Sequence, residues 1–323
     1  MLFYENLDEI VFNRHSICES DEIVIISGYV GPNPVKRLES LPLKSTVIYG
    51  MYGSEGIGSK LNQMLISLND SNENLNIVYS TVPVHSKCYI WKKENKIKHV
   101  LIGSANFSDN GLCTPFREVL AETNIDTFLP LEKYLNEILK NSIDCHDAVE
   151  RTKKDTKVPE EASNFDSNIC TMLLYDPRTG EVPSGSGLNW GHGNAHTTIS
   201  DAYVPIRADY IRKYPKMFPK KQDFPIEDFE GRKQRNNDSI EIIWDDGTIM
   251  EGLLEGTMPI EGIPYPKQIS SCPRKNILGL YFRKRLGLAP SAKITIDDLK
   301  RYGRTTIDIS MQGDGIYYFD FSV

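Results

Sequence analysis

The loss of apolar periodicity between residues 146 and 168 most constrains how this chain can fold. The segment HDAVERTKKDTKVPEEASNFDSN is charged and polar, and it lacks the regular apolar spacing of helices and strands. A chain of 323 residues is long enough to form two cores of about 150 residues each. We therefore predict two domains, over 1–150 and 169–323, joined by a linker over 151–168.

Strand-like and helix-like segments alternate in the first half of the chain. Strands are predicted over 22–30, 45–50, 75–80, 84–91, 98–105 and 117–122. Helices are predicted over 33–41, 60–68 and 128–143, where apolar residues recur at helical spacing. This alternation predicts a mixed α/β domain built around one sheet.

Short strands separated by Gly, Pro and Asp turns characterise the second half. They are predicted over 170–175, 238–244, 247–256, 275–288, 305–312 and 315–323. This spacing is typical of an all-β barrel or pseudobarrel.

The distribution of charge decides whether a nucleic acid can be a partner. Residues 1–150 carry 13 Lys and Arg against 20 Asp and Glu, whereas residues 169–323 carry 20 of each. The basic residues of the second half cluster at Arg274, Lys275 and 283–285, and Lys213, Lys216, Lys220 and Lys221 add a more dispersed set. Because local patches govern phosphate affinity, the net charge of -7 does not exclude DNA.

Several classes of protein are not favoured by the composition. No apolar run approaches the roughly 20 residues of a membrane helix, and the N-terminus lacks a signal-peptide pattern, so we expect a cytoplasmic protein without a membrane partner. The six cysteines are isolated and no Cys-x-x-Cys pair occurs, which predicts free thiols. His15, His99, His146 and His196 lack ligand spacing, so neither a metal site nor a cofactor is expected.

The strongest chemical signal is His85-Ser86-Lys87, followed by Gly103-Ser104-Ala105-Asn106 and then by Glu118. Residues two apart in a strand project to the same face, which pairs His85 with Lys87 and Ser104 with Asn106. An isolated His-x-Lys is common and uninformative. Together, however, these side chains offer a nucleophilic imidazole, donors for phosphate oxygens and a carboxylate that fixes the imidazole tautomer.

These residues resemble the H-x-K and G-S-x-N halves of the phospholipase D superfamily signature. Within that superfamily the chain is most similar to restriction endonucleases of the NgoFVII and BfiI type, over its whole length. The superfamily's Asp falls on Lys92, a departure that weakens a lipase function more than a nuclease function. The resemblance implies an α/β phospholipase D-like nuclease domain followed by an all-β, B-three-like DNA-binding domain.

The resemblance also implies a mechanism and a set of partners. His85 would form a phosphohistidine, Lys87, Ser104 and Asn106 would stabilise the developing charge, and Glu118 would orient His85. A single copy of the motif implies a homodimer with one composite site. The expected substrate is double-stranded DNA, cleaved without a metal at a short asymmetric sequence, and a cognate methyltransferase and a helicase-like ATPase are candidate partners.

A glycine-rich segment over 53–60 lies where a phosphate-binding loop would lie. Such a loop ends in Gly-Lys-Ser or Gly-Lys-Thr, whereas this segment ends in Gly58-Ser59-Lys60. A tight turn, or a loop near the path of the DNA, is therefore the favoured interpretation.

Two polar segments of the second half resemble the two arms with which a plant B-three domain holds the major groove. The first arm spans 184–194 and the second spans 265–275. Glycines allow close approach to another molecule, and amide and imidazole groups suit base edges. The alternative is that both are solvated turns, with Trp190 in the core. The predicted DNA-binding residues are Ser186, Asn189, Trp190, His192, Asn194, Lys267, Gln268, Ser270, Ser271, Arg274 and Lys275.

Two other functions remain open at this point. One is a DNA-binding regulator in which the phospholipase D fold serves only for dimerisation, and the intact set of His85, Lys87, Asn106 and Glu118 argues against it. The other is a phospholipid-hydrolysing enzyme, and the arm-bearing second domain argues against that. Cleavage of plasmid DNA in the presence of a chelator distinguishes all three.

Overall fold

The computed structural model describes residues 1–149, 168–193, 197–221 and 237–323. They form two compact units, one from Met1–Val149 with Gln312–Ile316 and the other from the described residues of Asn168–Met311 and Tyr317–Val323. Within the described ranges, no helix is both long and apolar enough to cross a membrane. All six cysteines lie in those ranges as free thiols.

The first unit is an eight-stranded sheet with helices, as the alternating sequence predicts. The strands are β1 (Leu2–Phe3), β2 (Glu22–Ser27), β3 (Lys44–Tyr49), β4 (Leu75–Ser80), β5 (Lys87–Lys93), β6 (Lys96–Gly103), β7 (Leu120–Glu122) and β8 (Ser142–Asp144). The helices are α1 (Leu7–Cys18), α2 (Pro32–Arg37), α3 (Tyr52–Glu55), α4 (Ser59–Ser71), α5 (Asp109–Cys113) and α6 (Phe128–Lys140). Helices α1, α3 and α5 are additional to the helices that the sequence predicted.

The order of the strands places β2 and β5 in the centre of the sheet. The order is β1-β7-β6-β5-β2-β3-β4-β8, with β2, β3 and β4 parallel and the other pairs antiparallel. Central strands are covered on both faces, which explains the continuous apolar runs at Ile23–Ile26 and Tyr89–Trp91. A rigid core therefore lies directly behind the ends of these strands.

The second unit is built on a seven-stranded sheet. The strands are β9 (Cys170–Leu173), β10 (Val204–Pro205), β11 (Asp238–Trp244), β12 (Ile249–Glu255), β13 (Met258–Ile260), β14 (Ile263–Tyr265), β15 (Gln268–Ser271), β16 (Thr306–Gly313) and β17 (Ile316–Asp320). The sheet order is β10-β15-β12-β11-β17-β16-β9, and β13 and β14 form a separate hairpin. The helices are α7 (Ala208–Lys213), α8 (Asn276–Arg285) and α9 (Ile296–Tyr302).

The strand predicted over 275–288 is wrong, because most of this segment forms helix α8. Its buried residues Leu278, Phe282 and Leu286 recur every four positions, which places them on one face of a helix. Gly279 lies beneath the carbonyl oxygen of Ser200, so close that a Cβ atom would come within 1.8 Å of it. The apolar residues of this segment thus have helical rather than alternating spacing.

Two predicted positions along the strands also need correction. His85 was predicted inside a strand, but it precedes β5 by two residues and its side chain is exposed. The predicted second arm contains β15, which is hydrogen bonded between β10 and β12. That segment is therefore part of the sheet and not a free loop.

Candidate active site and DNA-binding residues

Four strands of the first unit place their ends at one edge of the sheet. Strand β2 ends there at Ser27, β5 begins at Lys87, and β6 ends at Gly103, directly opposite Lys87. Strand β7 begins at Leu120, opposite Gly103. Antiparallel pairing brings the end of one strand beside the start of the next, so this edge collects the two half-motifs.

His85 and Lys87 form a close pair at this edge. The Lys87 Nζ atom lies 3.1 Å from Nδ1 and 3.2 Å from Nε2 of His85, and it donates a hydrogen bond of 2.7 Å to the His85 carbonyl oxygen. Lys87 is only 5 % exposed. Burial lowers the pKa of Lys87, and the negative charge of Glu118 opposes this shift. A buried ammonium that forms no ion pair within 4 Å among the described residues is suited to receive an anionic ligand.

Asn106 is held in one orientation by the end of β2. Its Oδ1 atom accepts a hydrogen bond of 3.2 Å from the Tyr29 backbone N–H and lies 3.4 Å from the Ser27 hydroxyl oxygen. The Ser27 hydroxyl also accepts a bond from the Phe107 backbone N–H. No acceptor for the Asn106 Nδ2 group occurs among the residues that the structure describes, so its two N–H donors remain available to a ligand.

Ser104 and Glu118 lie together where β6 ends and β7 begins. The Ser104 hydroxyl accepts a hydrogen bond of 3.1 Å from the Val119 backbone N–H, and the Ser104 N–H donates one of 3.0 Å to the Val119 carbonyl. Glu118 is half-buried and contacts the adjacent Arg117 at 3.9 Å. Between the described residues Glu118 and His85 there is no hydrogen bond. Within one subunit, therefore, Glu118 acts on Lys87 by its charge and not on the imidazole by a direct bond.

Gly28, which the sequence interpretation missed, lies against three of the predicted catalytic side chains. A Cβ atom at this position would lie 3.0 Å from Cδ2 of His85, and 3.4 Å from both Oδ1 of Asn106 and Nζ of Lys87. The glycine therefore leaves the space that the cluster occupies. The only sequence signal was a glycine inside the strand predicted over 22–30, about 60 residues before the motif.

The predicted first DNA-binding arm is largely folded. Residues Gly187–His192 form a 3-10 helix, and Asn189 is only 1 % exposed. The Asn189 amide donates to the carbonyls of Pro183 and Ile294 and accepts from the Ile294 N–H. Asn189 thus fastens this segment from inside, and its predicted contact with a base edge is wrong.

The remaining residues of the first arm are more accessible. Ser186, Trp190 and His192 are half-buried, and the Trp190 ring contacts the edge of Tyr203 at 5.6 Å between centroids. Ser186 also lines a pocket of about 380 Å³ with Tyr175, Tyr203 and Arg207. Asn194 lies outside the described residues.

Three of the six polar residues predicted for the second arm bind a buried carboxylate, Glu255. Glu255 accepts hydrogen bonds from Gln268 at 2.8 Å, from Ser270 at 2.8 Å and from Lys275 at 2.7 Å. These bonds hold the pKa of Glu255 below its usual range although burial acts in the opposite direction. Ser271 is buried and donates to the Arg274 carbonyl. Base contacts by Gln268, Ser270 and Ser271 are therefore wrong, because these side chains are inside.

Lys267 and Arg274 are the exposed cations of this segment. Arg283 and Arg285, by contrast, do not form a phosphate-binding patch. Arg283 is fully buried and donates to three backbone carbonyls, and Arg285 pairs with Asp245 at 2.8 Å. Lys221 is likewise buried, with its ammonium bonded to the Gly256 carbonyl.

A second group of polar side chains lies at the end of the first unit. Asp144, Cys145 and His146 place one possible ligand atom each within 4.8 Å of one another. His146 bonds Asp144 through Nδ1 at 2.5 Å and Asp70 through Nε2 at 2.8 Å. These carboxylates raise the pKa of His146. Both ring nitrogens are thus hydrogen bonded to carboxylates, as expected of an imidazolium. The bond to Asp70 links this segment to α4.

Two family descriptions match the chain in succession. Residues 5–151 match the NgoFVII restriction endonuclease N-terminal PLD domain, and residues 164–312 match the NgoFVII C-terminal B3-like DNA-binding domain. The matches confirm both predicted fold classes, including the curled half-barrel sheet of the second domain. No curated relative matches the sequence.

Solved structures resemble the first domain only distantly. NucT from Helicobacter pylori is 22 % identical, with a TM-score of 0.33, over 45 % of this chain and 97 % of its own. Nuc from Salmonella typhimurium, a phospholipase D family member, is 13 % identical, with a TM-score of 0.29, over 42 % of this chain and 88 % of its own. Polyphosphate kinase from Porphyromonas gingivalis is 13 % identical with a TM-score of 0.32, over 47 % of this chain and 26 % of its own.

The successive family matches agree in order and position with the α/β sheet that carries His85 and Lys87 and with the β-rich unit that follows it. DNA is accordingly the partner of the second domain, and the first is a nuclease domain. The chain therefore belongs to the NgoFVII restriction endonuclease family.

Proposed function

We propose that this protein is a site-specific endonuclease that hydrolyses DNA phosphodiester bonds without a metal ion, through a phosphohistidine at His85. One observation carries the proposal: the buried Lys87 ammonium lies within 3.2 Å of both ring nitrogens of the exposed His85. A phosphate brought to His85 for attack also meets the ammonium. The charge that develops on its oxygens is then compensated by Lys87 and by the free amide donors of Asn106.

The chemistry proceeds in two balanced steps. In the first, a ring nitrogen of His85 forms a P–N bond as the P–O bond to one nucleotide breaks, and the leaving oxygen takes a proton from a second imidazole. In the second, water attacks phosphorus, the P–N bond breaks, and the proton lost by the water returns to the second imidazole. The net reaction consumes one water molecule and restores both histidines.

The second imidazole defines the proposed assembly. The chain contains one His-x-Lys pair with a matching Gly-Ser-x-Asn, so we assign the proton donor to His85 of a second subunit. The exposed position of His85, ahead of β5, supports a site shared across a two-fold axis.

The second domain is proposed to direct cleavage to a short asymmetric sequence. A single domain that occupies one stretch of the major groove has no two-fold axis of its own and contacts about half a turn of DNA. The contact surface that fits the structure consists of Lys267, Arg274, Ser186, Trp190 and His192, with Lys275 shared with Glu255. Within a restriction-modification system, the methyltransferase and the ATPase remain proposed partners.

Cleavage of plasmid DNA in excess EDTA tests the central proposal. The purified protein should convert supercoiled plasmid to linear products at a rate that the chelator leaves unchanged within about twofold, because Lys87 and Asn106 supply the charge compensation of a metal ion. DNA binding without cleavage would instead support the regulator, and release of phospholipid headgroups would support the lipase. Activity that disappears in EDTA and returns with magnesium would contradict the mechanism.

Asn189→Ala should destabilise the second domain and leave its sequence preference intact. The substitution removes three hydrogen bonds and leaves the buried Ile294 N–H and C=O groups without partners. The expected loss is about 3 kcal/mol of unfolding free energy, measurable by urea denaturation. A changed recognition sequence without a loss of stability would show that Asn189 contacts DNA after all.

Arg274→Ala should weaken discrimination between DNA sequences. Arg274 is exposed and follows β15, so its guanidinium is free to approach the major groove, and one lost bidentate contact is worth roughly 1–3 kcal/mol of specificity. Selection from random duplexes by the full chain measures the change. Lys220→Ala, on an exposed basic residue, is the control, and it should weaken binding to all duplexes equally.

A further inference from the structure

We propose that Tyr29 is a positioning residue for His85 and that Glu55 anchors Tyr29 in this role. The inference rests on the proposed function, in which His85 must meet phosphorus in a defined orientation. It assigns a task to the glycine-rich segment 53–60, which lacks the order of a phosphate-binding loop. Tyr29 follows β2, and Glu55 lies in α3. Tyr29 lies beside the His85 ring, and Glu55 binds Tyr29.

His85 needs an external support because its own segment provides little. It is exposed and lies outside β5, and Lys87 holds it through contacts at its ring nitrogens and its carbonyl group. The nitrogens, however, are the atoms that must react. A support that orients the ring without occupying a nitrogen has to contact a carbon edge or a face.

Tyr29 makes such a contact. Its ring centroid lies 6.0 Å from that of His85 with an interplanar angle of 81°, an edge-to-face arrangement. Its backbone N–H donates to Asn106 Oδ1, and its carbonyl oxygen accepts a 2.5 Å bond from Ser27. One residue thus contacts both halves of the catalytic motif.

Glu55 fixes the far end of the Tyr29 side chain. The Tyr29 hydroxyl donates to Oε2 of Glu55 at 2.8 Å, and the Tyr29 ring also packs edge-on against the buried Tyr49 at 6.4 Å. Burial and the neighbouring carboxylate raise the pKa of Tyr29, so the phenol stays protonated and acts as a donor. A fixed neutral donor that is already bonded to Glu55 is suited to hold a ring in place and not to transfer protons.

The glycines of the Glu55 segment explain how it approaches the segment that carries His85. A Cβ atom at Gly53 would come within 2.2 Å of the Thr81 carbonyl oxygen, and one at Gly50 would come within 2.0 Å of the Val84 carbonyl oxygen. The Val84 N–H donates to the Gly50 carbonyl at 2.9 Å. Only glycine permits this close backbone packing. It holds residues 81–84, which directly precede His85, against the segment that contains Glu55.

The test compares five variants of the full chain in single-turnover cleavage of plasmid DNA, with the dissociation constant for DNA measured separately. Tyr29→Phe keeps the ring and loses the anchor, so its cleavage rate should fall roughly tenfold, and Tyr29→Ala should fall roughly 100-fold because the ring contact is lost too. Glu55→Ala should match Tyr29→Phe. Glu55→Gln, which keeps an acceptor, should stay within about twofold of the wild type.

The double variant Tyr29→Phe/Glu55→Ala distinguishes positioning from general destabilisation. If the hydroxyl and the carboxylate act through one bond, it should be no slower than either single variant. DNA affinity should change less than about twofold in all five, because the effect falls on the chemical step alone. Tyr4→Phe, on a half-exposed tyrosine between β1 and α1, is the matched control and should cleave at the wild-type rate.

A second readout keeps this inference separate from the proposed function. In protein labelled with ¹³C-histidine, the His85 ring signals, identified by their loss in His85→Ala, should shift in Tyr29→Ala and remain in place in Glu55→Gln. If the wild type fails to cut DNA, the proposed function fails and the His85 signals alone decide whether Tyr29 orients the ring. Unchanged signals, or wild-type cleavage by Tyr29→Ala, would overturn the inference.

Discussion

His85→Ala is expected to reduce DNA cleavage by a factor on the order of 10⁴ or more while DNA binding persists. The imidazole is the proposed nucleophile at the edge where Lys87 and Asn106 lie, and alanine offers nothing that can form a bond to phosphorus. The residues proposed to contact the DNA sequence lie in the second unit, so a substitution in the first should leave them intact. Single-turnover cleavage and gel-shift titration, run on one preparation, measure the two properties.

The matched control is His15→Ala in helix α1. The His15 side chain hydrogen bonds the Phe12 carbonyl within its own helix. The His15→Ala variant should therefore cleave DNA at the wild-type rate. A quench in denaturant at alkaline pH, which preserves the acid-labile P–N bond, should leave labelled DNA attached to the wild-type protein and none attached to His85→Ala. Wild-type cleavage by His85→Ala would exclude this residue as the nucleophile.

Gly28→Ala is expected to lower the cleavage rate roughly 100-fold, because a displacement of even 1 Å in a reacting group can cost that much. The added methyl group would lie 3.0 Å from the His85 ring and 3.4 Å from Lys87 Nζ and Asn106 Oδ1. Since His85 is exposed, it can move away, and the domain should keep its melting temperature. The reacting nitrogen then no longer points to where the phosphate is held.

A graded pair of substitutions makes this prediction sharper. Gly28→Val adds two further methyl groups in the same direction, so it should cleave more slowly than Gly28→Ala, and both should bind DNA like the wild type. The order of the rates, measured in single turnover and compared with melting curves, is the result to check. Wild-type rates in both variants would show that the cluster has spare space.

The sequence predicted that the two half-motifs meet, because Lys87 pairs with Gly103 on antiparallel strands and this pairing brings both half-motifs to one end of the sheet. It did not predict that His85 precedes β5 and that Ser104 and Asn106 follow β6. It did not predict Gly28, Tyr29 and Glu55, because they reach the site through the end of β2 and through α3, whose positions depend on the tertiary fold.

The predictions for the second domain failed where long-range bonds decide burial. Asn189 is surrounded in the sequence by glycines and polar residues, which is typical of a solvated loop, but its partner Ile294 lies 105 residues away. Gln268 and Ser270 likewise depend on Glu255, on the neighbouring strand. A strand was predicted over 275–288 instead of a helix, because the glycines and aromatic residues of this segment resemble those of a short strand.

The hydrogen bonds to Glu255 set limits on how this enzyme could be engineered toward new DNA targets. Randomising every polar position over 265–275 would also change Gln268, Ser270 and Lys275, and most clones would then carry a buried carboxylate without its donors. A library confined to Lys267 and Arg274, with those three residues fixed, samples new contacts without this loss of folded protein. The buried hydrogen bonds of the sheet thus determine which positions over 265–275 can be varied.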